Sequence, residues 1–169
     1  LWTDSYEREQ GALFAIQSST ALQVAQELSV ELSETERTRI ERVPTTVPRA
    51  RELYLAALAR QERADLEELL RGIDEVEEAL ALDDGFVEAW VLSATLHGSA
   101  QFLDPENVVE HRNRLQVAAK RALELDPQLP KAHAALGFLL LSRKDWTGAE
   151  AAFRQALRLN LPPSGYLSV

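Results

Sequence analysis

From residue 48 onward two short motifs alternate along this 169-residue chain, and the distance between them limits the fold more than any other feature. Opening motifs stand at Pro48-Arg49-Ala50, Val87-Glu88-Ala89-Trp90 and Pro130-Lys131-Ala132-His133. Closing motifs stand at Ala79-Leu80-Ala81-Leu82-Asp83, Ala122-Leu123-Glu124-Leu125-Asp126 and Ala156-Leu157-Arg158-Leu159-Asn160. From each closing Ala to the next opening Ala is ten residues both times, 79 to 89 and 122 to 132. Within a unit the counts are 29, 33 and 24. Stacked units need a joint of fixed angle, whereas the turn inside a helix pair can lengthen at a surface, so the extra residues are expected within each pair.

The third unit is the most complete. Ala132, Leu136, Gly137 and Leu140 fall on one side of a first helix, the stripe of a packed element. Arg143-Lys144-Asp145-Trp146 is a polar break with Asp145 as N-cap, and Ala149, Ala152, Phe153, Ala156, Leu157 and Leu159 then recur at three and four. Pro162-Pro163 is expected to end the second helix. Small residues let two antiparallel helices approach closely, and Phe153 can fill the space between them.

These residues resemble the tetratricopeptide repeat: His133, Leu136-Gly137, Leu140, Ala149, Phe153, Ala156 and Pro162 follow its spacing, with His133 and Leu140 replacing aromatic residues and the proline one residue late. The resemblance implies an all-α, right-handed solenoid of stacked antiparallel helix pairs. Residues 46–169 would hold the array, with repeats at about 48–84, 87–127 and 130–163, behind an adaptor over 1–45. In the family the first helix of each pair lines a concave groove. The matching outward positions here are Arg49, Glu52, Ala56, Glu88, Val91, Thr95, Lys131, Ala134, Phe138 and Leu141. Phe138 and Leu141 are apolar where a solvated face is polar, so either they grip a partner or a fourth repeat covers them.

The amino-terminal part carries a second resemblance. Leu1-Trp2-x-x-x-Tyr6-x-Arg8 and Leu13-Phe14-Ala15-Ile16-Gln17 are similar to the junction of bacterial multidomain proteins in which a TolB-like domain runs into tetratricopeptide repeats. In such proteins the other end often carries a nucleotide cyclase, a protein kinase or a winged-helix regulator. A long helix over about 11–32 (Leu13, Ile16, Thr20, Val24, Leu28, Leu32), a short one opened by Ser33-x-x-Glu36, and an extended linker Val43-Pro44-Thr45-Thr46-Val47-Pro48 complete the adaptor. In the second unit Asp104-Pro105 reads as the start of the second helix. Seven or eight helices and no sheet core are expected. Leu1–Gln10 and the tail Ser164–Val169 read as cut edges of neighbouring structure.

Composition agrees with helix: Ala, Leu, Glu and Arg dominate, and hydrophobic residues at 46% supply a core. A net charge of −9 argues against nucleic acid, which needs a basic patch. Between Gln61 and Asp84 ten residues are acidic and two basic; this reads as a solvated face rather than a docking patch for a basic partner. With no Cys, disulfides and thiolate metal sites are excluded, and no apolar run reaches the roughly 18 residues of a membrane span.

Catalytic constellations are weak. Ser93 and His97 lie four apart, but no carboxylate is evident to orient the ring, and His97 reads as an interior residue. Glu110-His111 diverge, His133 stands apart, and three scattered histidines do not make a metal site. Glu67-Glu68, Asp74-Glu75 and Glu77-Glu78 are neighbours on exposed helix, without a pocket to separate their pKa values. Trp146 and Phe153 read as core, and no glycine-rich phosphate loop is present. The expectation is a module without catalysis, cofactor or metal, binding a protein or peptide in its groove for a larger bacterial signalling protein. Self-association would use the amino-terminal segment or the open end of the array. The rival reading is the regulatory or dimerisation part of an enzyme, a cyclase or kinase, whose catalytic domain lies elsewhere. Either fits the cytoplasm, or the periplasm if a membrane span precedes the chain.

Overall fold

The structure, a computed structural model, describes residues 19, 20, 23, 44–61, 63 and 65–159. The chain divides into two compact units, Leu1–Pro48 and Arg49–Val169. In the first, Ser19, Thr20 and Gln23 are helical, and residues 44–47 form the non-helical linker, where the Val47 amide donates to Thr45 Oγ1. The remainder of the predicted adaptor, Leu1–Gln10, Pro162-Pro163 and the tail lie outside the described residues.

Six helices follow: α1 (Pro48–Gln61), α2 (Leu66–Leu82), α3 (Val87–Leu103), α4 (Val108–Leu125), α5 (Pro130–Ser142) and α6 (Trp146–Arg158). No strand occurs among the described residues. Short connections turn each helix back beside its predecessor. Within the second unit α3 packs on α2, α4 and α5, while α5 packs on α4 and α6. That central place explains α3's composition: twelve of its seventeen residues are buried, from Val87 through Gln101, so its sequence is apolar all round rather than striped.

The two ten-residue joints are chemical copies, displaced by 43 residues (Asp83 to Asp126). The C-cap amides of Asp83 and Asp126 donate to Ala79 and Ala122 O at 3.0 and 2.9 Å. Three residues on, the Phe86 and Leu129 amides donate to the Asp83 and Asp126 carbonyls. Each aspartate carboxylate also accepts an amide two residues ahead, from Gly85 and Gln128, at 3.0 Å in both. Trp90 Nε1 then donates to Asp84 O, and His133 Nε2 to Pro127 O, again at 2.8 Å in both. An indole and an imidazole do the same task, since a carbonyl only accepts and both rings can present an N–H.

The extra residues of the second pair lie within the pair, as expected, but in its helices rather than in its turn. The connection between α3 and α4 is no longer than the joints; the helices themselves grow, to 17 and 18 residues against 13 and 13 in α5 and α6. Asp104-Pro105, expected to start a helix, instead stops α3: Asp104 is its C-cap, α4 begins at Val108, and Asn107 precedes it. The carboxylate that would cap α4 is engaged by Asn107 Nδ2 at 2.9 Å and by His111 Nε2 at 3.2 Å.

The α5–α6 turn is built as expected, with one addition. Asp145 caps α6 by accepting from the Gly148 amide at 2.9 Å. Before it, Lys144 takes φ 62°, its amide reaches Leu141 O and the Asp145 amide reaches Leu140 O, the paired bonds of a Schellman ending. Across the pair, Phe153 lies over Gly137, where a Cβ would stand 2.6 Å from the ring. Ala134 meets Ala156, so absent side chains set the helix separation. Trp146, expected in the core, is 66% exposed; it is the first residue of α6, ahead of the buried stripe Ala149, Ala152 and Ala156.

Candidate partner-binding surface and the buried histidine pair

The predicted groove residues separate into two groups. Arg49, Glu52 and Lys131 are exposed, and Glu88, Phe138 and Leu141 are half-buried. Val91, Thr95 and Ala134 do not line a surface. Val91 packs with Ala122 and Ala132, Ala134 is fully buried against Ala156, and Thr95 is buried with its hydroxyl donating to Val91 O at 2.9 Å. Val91 and Thr95 turn inward because α3 is packed by three neighbours, and Ala134 because α5 meets α6 there. Phe138 lies edge-on to Phe153 with centroids 5.2 Å apart, so its ring works mainly within its own helix pair.

The exposed members are weakly tethered. Arg49 reaches Glu52 and Glu78, each at 3.5 Å, long contacts between open groups that contribute little to stability. Glu88 stands near Tyr54, whose phenol is pushed above its ordinary range by burial and then by that carboxylate. Tyr54 in turn rests on the buried Phe86 ring at 4.9 Å, which fastens α1 to the first joint.

The acidic stretch of α2 is largely spent inside the molecule. Arg60 from α1 grips Glu75 with Nε and Nη2, at 2.9 and 3.0 Å, and Glu68 with Nη1 at 2.7 Å. The fork-to-carboxylate bonds to Glu75 hold the guanidinium further toward its charged form. Arg63 and Arg71 add contacts to Glu68, Arg71 also reaches Glu67, and Glu77 meets Arg114 and His97.

His97 therefore has the carboxylate that sequence reasoning did not find. Its Nε2 lies 3.3 Å from Glu77 Oε1 on α2, and its Nδ1 lies 3.0 Å from Nδ1 of His111 on α4. His111 Nε2 continues to Asp104. Two of the three histidines are thus neighbours in a four-residue polar chain that runs from α2 into the longer second pair. Asp104 is held below its ordinary carboxylate range by the Asn107 and His111 bonds. Burial pushes His97 below the ordinary histidine range, against the opposing pull of Glu77. The signal available in sequence was the i, i+7 spacing of Asp104 and His111 across the helix start, which brings them to one side. Among the described residues no group of three or more His, Cys, Asp or Glu is arranged to hold a metal ion.

A shallow pocket of about 520 Å³ opens on α4, lined by Glu106, Asn107, Val109, Glu110, Asn113 and Arg114. No described helix is long and apolar enough to cross a membrane. No protein-family model matches the chain, and comparisons with curated proteins and with solved structures find no match.

Proposed function

We propose that residues 48–158 form a tetratricopeptide-like solenoid and that the chain is a non-catalytic protein-interaction module of a larger signalling or regulatory protein. The observation that carries this reading is the duplicated joint: two connections 43 residues apart share their hydrogen bonds down to the side-chain donor. Joints repeated this closely give successive pairs the same rotation, the condition for a regular superhelix with one continuous face. The contact of α3 with α5, first helix to first helix, supports the same arrangement.

The proposed surface is the outer edge of the first helices, the exposed Arg49, Glu52 and Lys131 with the half-buried Glu88, Phe138 and Leu141. Its charges orient an extended peptide more than they bind it, because exposed ion pairs are screened. Affinity rests on a preformed scaffold that loses little entropy on binding.

Photo-crosslinking tests the assignment. A benzophenone side chain at Lys131 or Glu52 of the full-length protein is expected to capture a protein partner in cells, whereas the same group at exposed Arg154 on α6 is expected to capture none. Equal labelling from all three positions refutes the surface.

A further inference from the structure

The Glu77–His97–His111–Asp104 chain has a definite proton inventory. Each Nε2 faces a carboxylate, so each must carry hydrogen; a bare ring nitrogen there would set two lone pairs against each other. The Nδ1 to Nδ1 contact of 3.0 Å holds one hydrogen, since it needs one donor and one acceptor. Three protons on four nitrogens make one imidazolium and one neutral ring. The charge belongs to the pair, which has a carboxylate at each end, Asp104 at 12% and Glu77 at 39% side-chain exposure.

A fourth proton has no place in this arrangement. It would sit on the accepting Nδ1, turning the contact into N–H against N–H at 3.0 Å between two cations in a poorly solvated site. One ring must then turn away. It leaves either Glu77, the tie to α2, or Asp104, the tie to the α3–α4 turn. The surrounding charges do not prevent this. From α2 Glu77 faces the pair; from α4 Arg114 lies 3.7 Å from Glu77 and opposes further positive charge, with Glu110 3.9 Å from Arg114. From α5 the only ionisable residues are Lys131 and His133, and His133 is bound to Pro127 O in the joint. Arg143, just beyond α5, reaches Gln116 instead.

We propose that the His97–His111 pair is a proton-operated latch that fastens the α3–α4 turn to α2 at neutral pH and releases it when a second proton binds. The second proton comes from solvent, with the half-exposed Glu77 as its entrance. Histidine is the side chain whose ordinary titration falls in this range. Release loosens a turn that already carries the exposed apolar residues Phe102, Leu103 and Val109, so acidification changes the surface at that end of the second pair. The latch is independent of the partner-binding reading.

The test is a pH series on the full chain, combining imidazole ¹⁵N spectra with amide hydrogen exchange corrected for intrinsic chemistry. At pH 7 one charged and one neutral ring are expected, with the two Nδ1 atoms sharing a proton. On acidification to pH 5, exchange across 98–111 is expected to rise at least about tenfold more than in α5 and α6, the local opening of one cooperative segment. His97→Gln, which cannot take up the proton, is expected to abolish that selective rise. Two rings titrating independently near the ordinary value, or a wild-type turn no more responsive than α5 and α6, overturns the proposal. So does a His97→Gln variant that keeps the response; should that variant not fold, the wild-type spectra and exchange decide alone.

Discussion

Two buried helical glycines face opposite environments, and replacing each with alanine should move stability in opposite directions. At Gly137 the added Cβ would lie 2.6, 2.8 and 2.8 Å from three carbons of the Phe153 ring, which is itself braced by the edge of Phe138. The ring cannot slide as a flexible chain end would, so α5 and α6 must part. Overpacking of this kind costs ~1–3 kcal/mol, offset by up to ~1 kcal/mol of helix propensity gained over glycine. The net expectation is a loss of about 1–2 kcal/mol, a melting point lower by roughly 3–8 °C. At Gly72 the nearest atoms, on Ala57, Arg60 and Leu96, lie 3.5, 3.5 and 3.6 Å from the same Cβ, ordinary contact, so Gly72→Ala should be neutral or stabilising by up to ~1 kcal/mol. Thermal and urea melts of both variants decide, and Phe153→Leu combined with Gly137→Ala should recover part of the loss, because the two sites are in contact. If Gly137→Ala melts at or above the wild type, the close approach of α5 and α6 through Phe153 is wrong.

Asp145→Ala removes the side-chain cap of α6 and should cost ~1 kcal/mol by chemical denaturation, within the usual range for N-cap losses. Lys144→Gly relieves the left-handed conformation at φ 62° and should raise the melting point, since only glycine adopts it without a steric penalty. Acid should weaken the fold in two stages, because folded His97 and folded Asp104 both resist protonation. The unfolded chain takes the proton first, so stability falls with pH through the histidine range and again below about pH 4. A urea-midpoint series against pH should therefore lose its lower stage in Asp104→Asn.

Features whose partners lie close in sequence were legible before any coordinates. The ten-residue joint and Asp145 as a cap depend on contacts between residues a few positions apart, and Phe153 as the wedge depends on the small residues of its own helix pair. Asp104 was misread because the Asp-Pro pattern that opens helices also closes them, and a carboxylate near two possible partners goes to the one that folding brings closest. Val91, Thr95 and Ala134 were assigned to a groove from their repeat positions, yet α3, which carries the first two, packs on three helices, and Ala134 on α5 is covered by Ala156 of α6. The meeting of His97 with Glu77 and His111 could not be read from spacing. It spans 20 residues one way and 14 the other, and it joins side chains from three different helices.

Stacking of the second and third helix pairs is the claim on which the rest depends, and methyl–methyl proximity measures it directly. A ¹³C-edited NOE spectrum of the methyl-labelled full chain should connect Val91 with Ala132 and Ala122 across α3, α5 and α4, and Ala94 with Ala135, alongside the intra-pair contact of Ala134 with Ala156. If the Ala134–Ala156 cross-peak appears while the Val91–Ala132 and Ala94–Ala135 cross-peaks do not, the pairs fold without stacking, and the array with its continuous surface is contradicted.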